Sequence, residues 1–220
     1  MKFGGTSLEN PHRIKQAAKI VARLLEGNKI ALVVSALGDT TDLLSEIGEA
    51  AHIGESQKLK KLQLRLRSLH VNAARAVPRG DQSRKLATTV GGLLSELDGA
   101  VHAVLSLREL TPRSRDYILS FGERLSAPIV TAGIQALGIR GRTFTGAEAG
   151  ITTDDNFGDA RPLVEVSYHQ IRRRLELVWG EEGGSRCGGI HCRFGRWKCY
   201  YPGKGRIGLH CIVARGRLVG

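Results

Sequence analysis

An α/β sandwich, with helices packed on a mainly parallel sheet, is the fold this chain predicts, and three observations carry it. Short apolar runs alternate with amphipathic helical segments over the first 183 residues. One of those runs, "KIALVVSA", is apolar almost throughout, as a strand buried on both faces of a parallel sheet must be. A chain of 220 residues suffices for one sizeable domain with a buried core and is short for two.

The elements follow in order. "KFGGTS" places a glycine turn after a first short strand. Asn10 and Pro11 then make an N-cap and first-turn pair, and Ile14, Ala17, Ala18, Val21, Leu24 and Leu25 recur at helical spacing until Gly27. "KIALVVSA" is the next strand, and "TTDLLSEIGEAA" the next helix. The Arg-, Lys- and Leu-rich stretch from 56 to 110 predicts helices broken at residues 78–81, where Pro and Gly fall together. "DYILS" predicts a second apolar strand that leads into a helix, "FGERLSAPIVTAGIQALG". "RGRTFTGAEAGITTDDNFGDARP" predicts a short strand and a polar loop, and "VSYHQIRRRLELVWGEEG" a final amphipathic helix.

The formal charge of +12 suggests polyanionic partners, but residues 184–220 hold eight Lys or Arg and no Asp or Glu, which leaves only +4 for the rest. No continuous apolar run approaches the roughly 18 residues of a membrane span, and "MKFGGTSLEN" lacks the apolar stretch of a secretory signal. The chain reads as cytoplasmic, with no membrane partner. Its seven His show no HExxH or other zinc-enzyme spacing, and no metal-ligating residues are expected.

The chemistry begins at "KFGGTS". A Lys, two glycines, a Thr and a Ser between strand and helix offer a phosphate chain a cation, close backbone approach and hydroxyl donors. This is not a Walker A sequence, since GxxxxGK[ST] is absent. Taken alone, the stretch could equally be a glycine turn beside an exposed lysine.

Three more stretches, "VVSALGDTTDLL", "SFGERLSA" and "GAEAGITTDDNFGDA", join "KFGGTS" in resembling, in order, the signature segments of aspartate kinases, members of the amino-acid kinase superfamily. The resemblance covers residues 1 to about 183. It implies a three-layer α/β/α sandwich, incomplete at the C-terminus, with residues 1–183 a partial catalytic domain. It also implies transfer of the ATP γ-phosphoryl group to the side-chain carboxylate of L-aspartate, giving 4-phospho-L-aspartate on the route to lysine, threonine and methionine. ATP is then the co-substrate, Mg²⁺ the assisting ion, and a homo-oligomer the form of the intact enzyme.

Roles carry over residue by residue. Lys2 would neutralise the transferred phosphoryl group, and Phe3, Gly4, Gly5, Thr6 and Ser7 would form the turn that cradles the phosphates. Ser35 and Thr41 fall where the family contacts phosphate or aspartate, although Ser35 also suits a strand end and Thr41 a helix cap. Glu123 is placed to meet the substrate's amino group, and a carboxylate at a helix start is favourable in any case. Asp154 and Asp155 lie in a loop at the family's substrate mouth, or simply cap the next turn.

The resemblance stops after "WGEEG", where the family continues with segments like VPVVGGFIA and TTLGRGGSDYTA, then TDVDG. The tail instead holds Cys187, Cys192, Cys199 and Cys211, with His191 and His210. Spacings of x4, x6 and x11 lack the paired arms of common zinc sites, and nine glycines without a recognisable module argue against a nucleic-acid reader. A frameshift accounts for the tail better. Read one base over with synonymous codons, "YYPGKGRIGLHC" can spell TTLGRGGSDYTA, and "GSRCGGIHCR" can spell VPVVGGFIAA. Residues 184–220 would then be out-of-frame translation, in nature or in sequencing, with poor packing and no consistent secondary structure. Lacking the second half of the site, the chain should have little kinase activity.

Overall fold

The computed structural model describes residues 1–25, 28–78 and 80–180, and the backbone of 210–217. Strand β1 (Lys2–Phe3) leads through a 3-10 turn (Gly5–Leu8) into helix α1 (Pro11–Leu24), which starts where the sequence places it: the Asn10 side chain accepts from Arg13 N at 3.0 Å, with Pro11 in the first turn. Ile14, Ala17, Ala18 and Val21 form its buried stripe. Gly27 lies outside the described residues. Strand β2 (Ile30–Val34) is followed by α2 (Thr40–Ile53), α3 (Ser56–Ala76) and α4 (Asp81–Leu107), with the break between α3 and α4 at the expected Pro78–Asp81 stretch. Helix α5 (Pro112–Gln135), strand β3 (Ile139–Phe144), the single turn α6 (Gly146–Ala149), helix α7 (Val164–Gly180) and strand β4 (His210–Arg217) complete the order.

Two expectations change. Residues 116–120, "DYILS", are not a strand but the interior of α5. Thr111 caps that helix by accepting from Ser114 N at 3.1 Å, Pro112 fixes its first turn, and Ile118, Leu119, Phe121 and Leu125 continue one buried helical face. Three apolar residues, Tyr117 to Leu119, are too few to set a period, so the cap decides. The second change is β4, which lies in the tail predicted to lack consistent structure. It runs between β2 and β3, antiparallel to both. Ladder bonds use only backbone N–H and C=O, so pairing of this kind asks little of side-chain order. Cys187, His191, Cys192 and Cys199 lie outside the described residues.

The sheet order is β1-β2-β4-β3. β1 is parallel to β2, and β3 runs the same way, so three of four strands share a direction. Ile30, Leu32 and Val34 of β2 are buried in the large core that α1 and α5 lay on one face, with α2, α3 and α4 stacked outside. The other face carries a small cluster of Phe144, Ala149 and Leu175, against which Ala31, Ile171, Val178 and Trp179 pack. Helices therefore cover both faces, as three layers require.

Among the described residues, α4 is long and apolar enough to cross a membrane by length and composition, although charged and polar residues interrupt its apolar run. Its apolar residues Leu86, Val90, Leu94, Leu97, Val101 and Val104 instead form one buried stripe, and the helix packs on α2, α3 and α5.

Candidate phosphate and substrate site

The site forms at the carboxyl ends of two neighbouring parallel strands, where open α/β sheets leave a crevice. Lys2 stands opposite Val33 and Phe3 opposite Val34, and Ser35 N donates to Phe3 O at 3.2 Å. Beyond β1 the chain tightens: Ser7 N donates to Gly4 O at 3.0 Å, and the buried Leu8 anchors the turn. Lys2, Thr6 and Ser7 are exposed, and Phe3 is half-buried.

The two glycines differ. A Cβ on Gly5 would stand 3.0 Å from Gly38 O and 3.1 Å from Ala36 O, so no side chain fits without moving backbone. Gly38 N also donates to Gly5 O at 3.2 Å. Gly4 has open space around its α-carbon, which leaves room for a ligand to approach the backbone.

The loop after β2 supplies the facing wall. Ser35 is half-buried, Ala36 and Leu37 are buried, and Gly38 turns the chain with φ +51°. Thr41 is the second residue of α2 and half-buried, so it is not the cap. Asp39 stands at the N-cap without a capping bond from its side chain, which pairs with Arg65 at 2.5 Å. The neighbouring Thr40 is fully buried, and its hydroxyl has no hydrogen-bond partner among the described residues.

Glu123 reaches this loop from α5. Because α5 begins at Pro112, Glu123 lies in mid-helix rather than at a helix start, and the dipole reason for a carboxylate there falls away. Its Oε1 accepts from Ala36 N at 3.4 Å. The next residue points elsewhere: Arg124 lies 4.1 Å from the Phe121 ring centroid and donates to Glu96 at 2.6 Å. That hydrogen bond, with a second from Tyr117, holds the Glu96 carboxyl below its ordinary range, while the same Glu96 contact raises the Tyr117 phenol. Arg124 thus ties α5 to α4, whereas Arg13 of α1 donates to Thr6 O of the glycine turn at 3.2 Å.

Asp154 braces its own loop. Its Oδ1 accepts from Arg161 N at 2.8 Å and Asn156 N at 3.4 Å, bracing a loop closed by a Thr153–Pro162 bridge. Asp155 is exposed. The loop is tied to the start of α5 by Gly158 N, which donates to Asp116 at 2.7 Å, and by Arg113 over Phe157. No hydrogen bond among the described residues joins Asp154 or Asp155 to the turn, Ser35, Thr41 or Glu123. The structure therefore brings the turn, Ser35 and Glu123 together around one loop, with Thr41 following in α2, while Asp154 braces its own loop and Asp155 is exposed on it. Sequence reasoning missed Ser126, which is fully buried and donates to Ser35 O at 2.8 Å. The small residues Gly122 and Ser126, four apart on one helix, were the available signal.

Among the described residues no group of three or more His, Cys, Asp or Glu could hold a metal ion. A divalent ion here would take most of its oxygen ligands from a bound phosphate chain and water, as magnesium does with nucleotides. The open backbone at Gly4 and the exposed Lys2, Thr6 and Ser7 fit such a chain.

Comparison with known proteins shows what the chain is similar to. The chain is 31% identical over 182 residues to "Aspartokinase 1, chloroplastic" of Arabidopsis thaliana, covering 81% of this chain and 30% of that one. It is 30% identical over 176 residues to the aspartokinase of Corynebacterium glutamicum, covering 80% and 28%. The chain thus spans about a third of the length of the curated relatives it matches. In fold it resembles E. coli aspartokinase III, solved in complex with aspartate and ADP, with a TM-score of 0.65 and 21% identity over 80% of this chain and 38% of that one. The sequence pattern of the amino acid kinase family matches residues 1–180, and the chain belongs to that family.

Proposed function

We propose that residues 1–183 are the first part of an aspartate kinase catalytic domain, which in its intact form transfers the ATP γ-phosphoryl group to the side-chain carboxylate of L-aspartate. The observation that carries this reading is the packing of the glycine turn against the Ser35–Gly38 loop, with the Glu123 carboxylate on the far side of the same loop. Phosphate and amino-acid contacts are thereby adjacent. The names of the relatives, and the aspartate and ADP held by the fold neighbour, support the same substrates.

The residues divide the work by chemistry. An aspartate carboxylate is already a nucleophile near neutral pH, so no base is required to activate it. The task is to bring two anions together and hold them in line. Lys2 offsets charge on the phosphoryl group, the Gly4 and Gly5 backbone with the Thr6 and Ser7 hydroxyls binds phosphate oxygens, and Phe3 fixes the strand that aims them. Ser35 and Thr41 orient the acceptor, Glu123 takes its ammonium group, and Asp155 stands at the mouth of the site. Mg²⁺ supplies charge neutralisation and positioning on the phosphates when bound.

Residues 184–220 are, in this reading, out-of-frame translation that replaces the second half of the site. The intact enzyme is a cytoplasmic homo-oligomer, or chloroplastic where the source is a plant. A hydroxamate assay for acyl phosphate on this chain should find turnover well below about 1 per second. An ordinary enzymatic rate would overturn the partial-site reading. The coding DNA gives an independent test, because the shifted frame must spell the two missing motifs.

A further inference from the structure

We propose that Ser126 and Gly122 are positioning residues, which act on Glu123 by clamping the single peptide unit between Ser35 and Ala36. The proposal rests on the kinase reading for its consequence, not for its geometry. Ser126 Oγ donates to Ser35 O at 2.8 Å, and Glu123 Oε1 accepts from Ala36 N at 3.4 Å. Ser35 C=O and Ala36 N–H belong to the same planar group. One turn of α5 therefore grips both ends of one peptide.

The direction of the serine bond is informative. A serine inside a helix ordinarily turns its hydroxyl back to a carbonyl three or four residues earlier. Here that carbonyl, Glu123 O, is 3.2 Å away, while the shorter contact crosses to Ser35. Ser126 has no exposed surface, so no water replaces the bond directly at its hydroxyl if the side chain is shortened.

Gly122 sets the distance. A Cβ there would lie 2.8 Å from the Ala36 Cβ, so only glycine lets α5 approach closely enough for the clamp. On the opposite side a Cβ on Gly5 would meet Ala36 O at 3.1 Å. The loop is held between two close glycine approaches, one from the phosphate turn and one from α5. Fixing the peptide plane keeps the Ala36 N–H on the Glu123 carboxylate, and with it the orientation in which Glu123 meets an amino group.

The test is an amide NMR spectrum of the full 220-residue chain, with hydrogen exchange and titration by L-aspartate and, separately, by ADP. Ser126→Ala should move the Ala36 resonance and speed its exchange about fivefold to tenfold, the size of one lost hydrogen bond. Aspartate affinity should fall by about the same factor, and ADP affinity should change less than about twofold. Glu123→Gln should move the same Ala36 resonance and serves if Ser126→Ala fails to fold. Thr131→Val, which removes another hydroxyl of α5 paired with Thr143 at 2.8 Å, should leave the Ala36 resonance in place. The clamp is overturned if Ser126→Ala and Glu123→Gln leave the Ala36 amide unchanged, or if Thr131→Val moves it equally. If the unaltered chain binds neither ligand, as a chain lacking the second half of the site can, the Ala36 amide alone decides the clamp.

Discussion

The two faces of the sheet are built to different standards. On one, β2 sends Ile30, Leu32 and Val34 into a continuous core shared with all five helices α1 to α5, where Phe121 and Leu125 have no exposed surface. On the other, α7 buries only Ser167 and Leu175 and leaves Val164, Val166, Tyr168 and Leu177 open to solvent. The candidate site belongs to the well-packed side, because Ser35, Thr41 and Glu123 lie on the loop and helices that this core fixes. A site can be held firmly by half a sandwich, provided its residues stand on the finished half.

The strongest way to break the comparison is to remove one large side chain from each face. Phe121→Ala should cost about 3–5 kcal/mol, since its surroundings cannot collapse into the space it leaves. Leu175→Ala should cost about 2 kcal/mol or less, because its cavity opens toward solvent through a thin cluster. Urea midpoints of the two variants decide it. Equal losses would show that the faces contribute alike.

The packed face also carries an acid weakness. His70 of α3 is fully buried, its Nδ1 lies 2.9 Å from Leu66 O, and its Nε2 has no hydrogen-bond partner among the described residues. Burial lowers its pKa from 6.5 to about 4, so the folded imidazole stays neutral while the unfolded one protonates. With the folded pKa below the unfolded one, the unfolded state binds more protons between pH 6.5 and 4. Stability should therefore fall as pH drops through that window, by about 3 kcal/mol in all. Urea midpoints of the chain and of His70→Gln across this range provide the check, and the variant's profile should be flatter. Parallel profiles would place the acid sensitivity elsewhere.

The same division explains what the sequence disclosed. Asn10–Pro11 and the run "KIALVVSA" announced α1 and β2, because a cap and a continuous apolar run have few other uses. Thr111–Pro112 carries the same start signal as Asn10–Pro11, yet the short apolar centre of "DYILS" just after it mimics a strand. Local period failed there, and cap chemistry would have served. The phosphate turn was legible because glycine next to Lys, Thr and Ser has a chemical purpose. Its support was less visible, since Gly122 and Ser126 act through close approach to a loop almost 90 residues distant, which spacing in a sequence does not display. Strand β4 was illegible for a third reason: backbone pairing leaves no demand on side-chain order.

The smallest effect concerns Asp154. Its Oδ1 takes two backbone N–H groups of its own loop, which is a complete structural role for one carboxylate oxygen. Asp154→Ala should loosen that loop at a cost of about 1–2 kcal/mol, with faster exchange at the Arg161 and Asn156 amides. Asp154→Asn keeps an acceptor at Oδ1 and should restore most of the protection. The well-packed core, including the Ala36 amide, should keep its exchange rates in both variants, because the loop is joined to it through Asp116 and Phe157 rather than through the site. If instead the loop amides stay protected while aspartate binding is lost, Asp154 faces the ligand, and the brace is not its main purpose. Asparagine separates these outcomes, since it preserves the hydrogen bonds and removes the charge.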